Sequence, residues 1–222
     1  GGVVMLQLLA FDSGDSEQAF LGGGGLEALV HAIRSFPGDA SVALYGFAAL
    51  KHFIGHGFEV QRRACDRGAV KAVLDAIQLN LARVQVQELG CAIVADLAWG
   101  DEGHQASLVA NHALKVALRT LTAHMEVPTI QALALAALQS LVCSNEQAKT
   151  ALAELGAIEL IAKTLKKYPN DASIQAYGMA AYQSMAHEHE ENNKNIISFQ
   201  GIGLATSAVA THHADAKVQE FG

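Results

Sequence analysis

The sequence predicts an all-α solenoid built from stacked copies of one helical unit. Three observations carry that expectation: the composition, a self-similarity that returns every 44 residues, and apolar positions spaced for helices within each copy. Of the 222 residues, 51% are hydrophobic but only 6% are aromatic, and Ala, Leu, Val and Ile dominate. Three prolines in the whole chain leave long stretches free to be helical. Helices packed closely through small side chains follow from that composition.

The repeat is the strongest signal. SVALYGFAALKHF, RVQVQELGCAIVADL, TIQALALAALQSL, SIQAYGMAAYQSM and the terminal KVQEFG align on Val42, Val86, Ile130, Ile174 and Val218, each 44 residues from the last. Leu26, Val70, Leu114, Ile158 and Ile202 form a second column; Phe20, Ala64, Leu108, Leu152 and Ile196 form a third. Gly24, Gly68 and Gly156 form a fourth, with His112 and Gln200 where two further glycines would stand. The opening GGVVMLQLL also fits, Gly2 lying one period before Gly46. A unit that cannot bury its apolar face alone does so by stacking on neighbours in register.

Within each copy the pattern predicts three helices. A short first helix ends at the glycine column, where positive φ breaks it; LGGGG at 21–25 is such a break rather than a phosphate loop, since no Lys-Ser/Thr follows. The second helix follows, with Leu26, Leu29, Val30 and Ile33, then Val70, Val73, Leu74 and Ile77, at helical spacing. Asp39, Asp171 and Asp215 precede the third helix as caps, and Pro128 stands in the first turn of another. The third helix buries Val42, Gly46, Phe47, Leu50, Phe53 and Ile54; small residues at Gly46, Gly90, Ala134 and Gly178 admit a close neighbour. Gln87, Gln131, Gln175 and Gln219 recur beside the apolar column and are expected to face water.

Residues 145–187, with a short helix ending in Gly, a GAIxxLxxxL helix, a connector and a long Ala-rich helix, resemble the armadillo repeat. The resemblance covers nearly the whole chain. It implies a right-handed superhelix of about five three-helix repeats, with residues 1–222 as one domain and third helices beginning near 41, 85, 129, 173 and 217. The chain starts and stops at one phase of the repeat, Gly2 and Gly222 in equivalent columns, without a polar capping repeat. A segment of a longer array, or ends that contact further repeats or another subunit, is the expectation.

Peptide-binding members of that family line a concave groove with their third helices, using a repeated Asn with a Trp one turn earlier. The matching positions here are His52, Asp96, Ser140 and Ser184 for Asn, and Ala48, Ala92, Ala136 and Ala180 for Trp. The ladder of the import receptors is missing. A groove of different chemistry would be lined by Lys51, His52, Asp96, Trp99, Gln139, Ser140, Gln183, Ser184 and His187. Trp99, the single Trp, is the candidate anchor, or else packs between adjacent third helices. The resemblance implies a scaffold or adaptor for a protein or peptide partner, or a module that positions other domains.

Composition narrows the alternatives. The formal charge of −7, with 15 Lys+Arg against 22 Asp+Glu, gives no basic face for nucleic acid or an anionic membrane. No apolar run approaches the ~18 residues that span a bilayer, so no membrane insertion is expected. Cys65, Cys91 and Cys143, in apolar surroundings without metal spacing, read as reduced, buried thiols of an intracellular, cytoplasmic protein. Ten histidines invite a metal reading, but His187 and His189 do not share a helical face, and ENNKN after them reads as a solvated loop. His212 and His213 lie in the last connector. No hydrolase elbow, phosphate loop, HExxH or dinucleotide fingerprint is present, so no enzyme, metal or cofactor is expected.

Overall fold

The structure is a computed structural model that describes residues 20–99 and 101–222. The opening GGVVMLQLL and its Gly2 lie outside the described residues. The chain divides into two compact units, Gly1–Leu97 and Ala98–Gly222. In the first, α1 (Gly25–Ser35), α2 (Ala40–Ile54), α3 (Phe58–Asp66), α4 (Ala69–Leu79) and α5 (Val84–Ala98) follow one another. In the second come α6 (Glu102–Ala110), α7 (Ala113–Ala123), α8 (Pro128–Val142), α9 (Glu146–Glu154), α10 (Ala157–Lys167), α11 (Ala172–Ala186), α12 (Glu190–Ser198), α13 (Gly201–Thr211) and α14 (Ala216–Phe221). First helices (α3, α6, α9, α12) are nine residues long, second helices (α1, α4, α7, α10, α13) eleven, and third helices (α2, α5, α8, α11) fifteen.

Local chemistry sets these boundaries. Gly24, Gly68 and Gly156 precede second helices with φ of 81°, 88° and 80°. His112 and Gln200 hold the same left-handed conformation at 68° and 70°, which costs a residue with a Cβ about 1 kcal/mol. Asp39 accepts from the Ser41 and Val42 N–H groups, Asp171 from Ile174 N–H, and Asp215 from Lys217 and Val218 N–H. Pro128 occupies the first turn of α8, where its missing N–H is not needed.

Each unit has its own core. In the first, Leu26, Leu29, Ile33, Phe47, Leu50, Phe53 and Ile93 are fully buried, and Phe20 stacks on Phe53 at 4.5 Å. In the second, Leu121, Leu135, Leu138, Leu141, Ile161 and Met185 are fully buried, and α8 lies along α11, which in turn packs on α14. Each such side chain contributes about 1.5–3 kcal/mol by leaving water. The small-residue column has the expected packing reason. A Cβ at Gly90 would collide with Ile77, and one at Gly178 would come 2.5 Å from Leu165 Cδ2.

The structure corrects several expectations, among them Val42, which is half-buried rather than buried. The recurring glutamines do not face water: Gln87, Gln131 and Gln175 are 0%, 0% and 3% exposed. Their side-chain amides donate to the last carbonyls of the preceding second helix: Gln87 to Ile77 and Asn80 (2.9 and 3.1 Å), Gln131 to Leu121 and His124 (2.8 and 2.9 Å), Gln175 to Leu165 and Tyr168 (both 2.9 Å). Gln219 makes the same pair of bonds while remaining exposed. Carbonyls at a helix end have no partner in their own helix, and these amides supply one. Of the three thiols only Cys91 is buried; Cys65 is half-buried and Cys143 exposed, because the apolar neighbours of Cys143 in sequence turn to the other side of the helix end. Finally, ENNKN is the start of helix α12, not a loop: its charged residues cover the solvent side while Asn192 and Ile196 turn inward.

Candidate functional site

The residues expected to line a groove lie toward the ends of the third helices. In the first unit, Lys51 on α2 and Asp96 on α5 meet directly, Nζ to Oδ2 at 2.6 Å, both half-exposed. The pair ties two consecutive third helices and neutralises the two charges the sequence placed there. A half-exposed pair of this kind contributes at most about 1 kcal/mol. His52, beside Lys51, lies edge-on to Phe53 and His56, at 5.3 and 5.0 Å between ring centroids.

In the second unit, Trp99 is 58% exposed, so its ring is presented rather than packed between third helices. Gln139 and Ser184 are half-buried, and Gln183 and His187 are exposed. Ser140 departs from the expectation. It is only 5% exposed, and what it offers is its carbonyl, which accepts from the Gln105 side chain at 2.7 Å. One helical register further on, Cys143 is exposed, as sequence alone did not indicate.

The ends of the third helices are held by side chains from first helices. Gln105 reaches the end of α8, and the buried Lys149 on α9 donates to the His187 carbonyl at 2.9 Å while pairing with Glu146. His189 caps α12, its Nδ1 accepting from Asn192 N–H at 3.3 Å, and Nε2 lies 3.0 Å from the Thr150 hydroxyl. The imidazole ring is thus part of a helix terminus. Among the described residues, no group of three or more His, Cys, Asp or Glu is gathered closely enough to hold a metal ion.

Two further features escaped the sequence. The first is a recurring bond between copies. Asn80, Tyr168 and His212 each close a second helix, and each donates to a carbonyl 43 residues earlier: Pro37 (2.8 Å), Met125 (2.7 Å) and Pro169 (2.8 Å). Amide, phenol and imidazole do one job, so no residue type marked it. The second is a half-exposed apolar column on the third helices: Tyr45 and Leu89 in the first unit, Leu133 and Tyr177 in the second. Its recurrence every 44 residues was visible, but it reads as core until burial is known. Lys217 stands over the Tyr177 ring at 5.6 Å.

Groups whose acidity departs from the ordinary sit in separate structural roles. A hydrogen bond from Arg63 holds the Glu27 carboxyl below its usual range. Burial pushes the Cys91 thiol up to about 12 and raises the Tyr182 phenol, whose hydroxyl donates to the Ile158 carbonyl at 2.7 Å. No described helix is long and apolar enough to cross a membrane.

No protein-family model matches the chain, and no curated protein matches it. Solved structures do. An engineered protein aligns over 98% of this chain and 86% of its own at 21% identity, with a TM-score of 0.82. A designed armadillo repeat protein aligns over 98% and 87% at 18% identity, with a TM-score of 0.80. A related design, solved in complex with the peptide (KR)4, gives 98%, 87%, 19% and 0.77. A structure from work on the cadherin–beta-catenin interaction aligns over 96% of this chain and 42% of its own at 17% identity, with a TM-score of 0.76. These likenesses establish an armadillo-like, all-α repeat fold.

Proposed function

We propose that this armadillo-like chain is a protein-interaction scaffold whose partner lies along the exposed faces of its third helices. The observation that carries this reading is the column of Tyr45, Leu89, Leu133 and Tyr177, aromatic or large aliphatic residues left half-exposed at one position of successive third helices. Apolar side chains kept at the surface in a repeating pattern suit a partner better than water. Trp99, at 58% exposure, adds an anchor of the kind that dominates interface energetics. Lys51, His52, Asp96, Gln139, Gln183, Ser184 and His187 provide the polar surroundings, with Ser140 a minor contributor because its side chain is buried. The structural neighbours support the reading in kind, since one is a designed repeat protein bound to a peptide and another comes from work on the interaction between cadherin and beta-catenin. The reading includes no reaction.

The test is affinity capture from the native source with the chain and two surface variants. Tyr45→Glu with Leu133→Glu should lose the partners, whereas Phe36→Glu, at a 61%-exposed site just past α1, should keep them. Equal retention by both variants removes the third-helix reading.

A further inference from the structure

We infer that the first unit contains a recognition pocket for an acidic, apolar segment of a partner protein, in which an aliphatic or aromatic side chain enters beside a carboxylate. The inference rests on the third-helix reading above and gives its chemistry.

The pocket lies between the first turns of α2 and α5 and has a volume of about 510 Å³, inside the range of small ligand sites. Leu44, Tyr45, Val84 and Val86 supply apolar wall, and Ser41 and Arg83 are among its polar groups. Tyr45 and Val84 are 36% and 39% exposed, so apolar surface is open to a visitor. Arg83 is the one charged side chain in the lining. The nearby Asp39 carboxylate is turned onto the Ser41 and Val42 N–H groups as the cap of α2.

Arg83 stands where three of the four other copies place an aspartate, the fourth having Val127 ahead of Pro128. Asp39, Asp171 and Asp215 precede their third helices at the same position and cap them. Arginine cannot accept a hydrogen bond and opposes the positive end of the helix dipole. The substitution therefore works against α5 locally, a sign that the side chain serves something other than the helix. Its guanidinium is exposed and joins no carboxylate among the described residues. Cation, helix N-terminus and apolar wall converge on one occupant. A basic segment would meet Arg83 unpaired, and a purely polar one would leave Leu44, Tyr45 and Val84 wet.

The experiment uses the full chain and three fluorescein-labelled decapeptides with a Gly-Ser background, carrying Leu-Asp-Leu-Asp, Leu-Lys-Leu-Lys or Ser-Asp-Ser-Asp at the centre. Anisotropy should show the Leu-Asp peptide binding about tenfold more tightly than either other. Arg83→Asp supplies the capping aspartate of three sibling copies, so it keeps or raises the melting temperature while abolishing that preference. Tyr45→Ser weakens binding without unfolding the chain. A photo-leucine version of the peptide should cross-link within 40–45 and 82–86. Equal affinity for acidic and basic peptides overturns the proposal, as does an unchanged preference in Arg83→Asp. Cross-links that land on other third-helix positions remove this pocket but leave the scaffold reading standing. Cross-links only away from third helices remove both.

Discussion

The junction between second and third helices and the far end of the third helix behave as opposites within one repeating unit. At the junction the same chemistry returns: an amide from Gln87, Gln131, Gln175 or Gln219 spans two carbonyls ten and seven residues earlier. At the far end the residues change from copy to copy. Lys51 pairs with Asp96, Ser140 is buried, and Gln183 and His187 face solvent. Repetition marks what holds a copy together, because each junction presents the same unpaired carbonyls. Variety marks the surface, where nothing internal dictates the side chain.

The comparison predicts a graded set of effects. Gln131→Ala should be the most damaging. It strips partners from the Leu121 and His124 carbonyls and from Thr164, whose hydroxyl lies 3.2 Å from the Gln131 Oε1, and should cost about 3 kcal/mol in urea unfolding. A loss below about 1 kcal/mol would mean water takes over the clamp. Gly178→Ala tests the same junction by packing. Its new methyl presses on buried Leu165, and about 2 kcal/mol should be lost, read from the shift in thermal midpoint. His112→Gly runs the other way. Relieving a left-handed residue at φ 68° should stabilise the chain by roughly 1 kcal/mol, and no gain would show that the imidazole earns its place through contacts. Lys51→Ala, at the variable end, should change stability by less than about 1 kcal/mol, its half-exposed partner Asp96 being screened by water.

The same contrast explains what could be read from the sequence. Helix breaks were legible at Gly24, Gly68 and Gly156, and caps at Asp39, Asp171 and Asp215, because each of these residue types has a local backbone task. The glutamines were misread because their partners belong to the end of a different helix, and a polar side chain beside an apolar column reads as surface. Their recurrence in four successive copies, after Ala43 in the first, was the available signal: a residue facing only water has no reason to return as Gln in four copies. Helix α12 was missed although α6 and α9 place it by simple addition, since Glu190, Glu191, Asn193 and Lys194 look like a solvated loop. Lys51 and Asp96 lie on the third helices α2 and α5 and Trp99 directly follows α5, but that Lys51 and Asp96 satisfy each other depends on side-chain reach across two helices. Arg83 went unnoticed for a related reason. Its meaning lies in what it replaces, and the column that Asp39, Asp171 and Asp215 define becomes informative only once a pocket is seen beside it.

The equal lengths of corresponding helices have a consequence for how such a chain changes over generations. With nine-, eleven- and fifteen-residue helices recurring at a fixed step, a stretch of 44 residues lost or doubled by recombination rejoins at the same phase. Cap, break and clamp then meet their usual counterparts across the new seam. The extent of the offered face can thus grow or shrink in whole increments, while the specificity written at positions such as Arg83 travels with its own cassette.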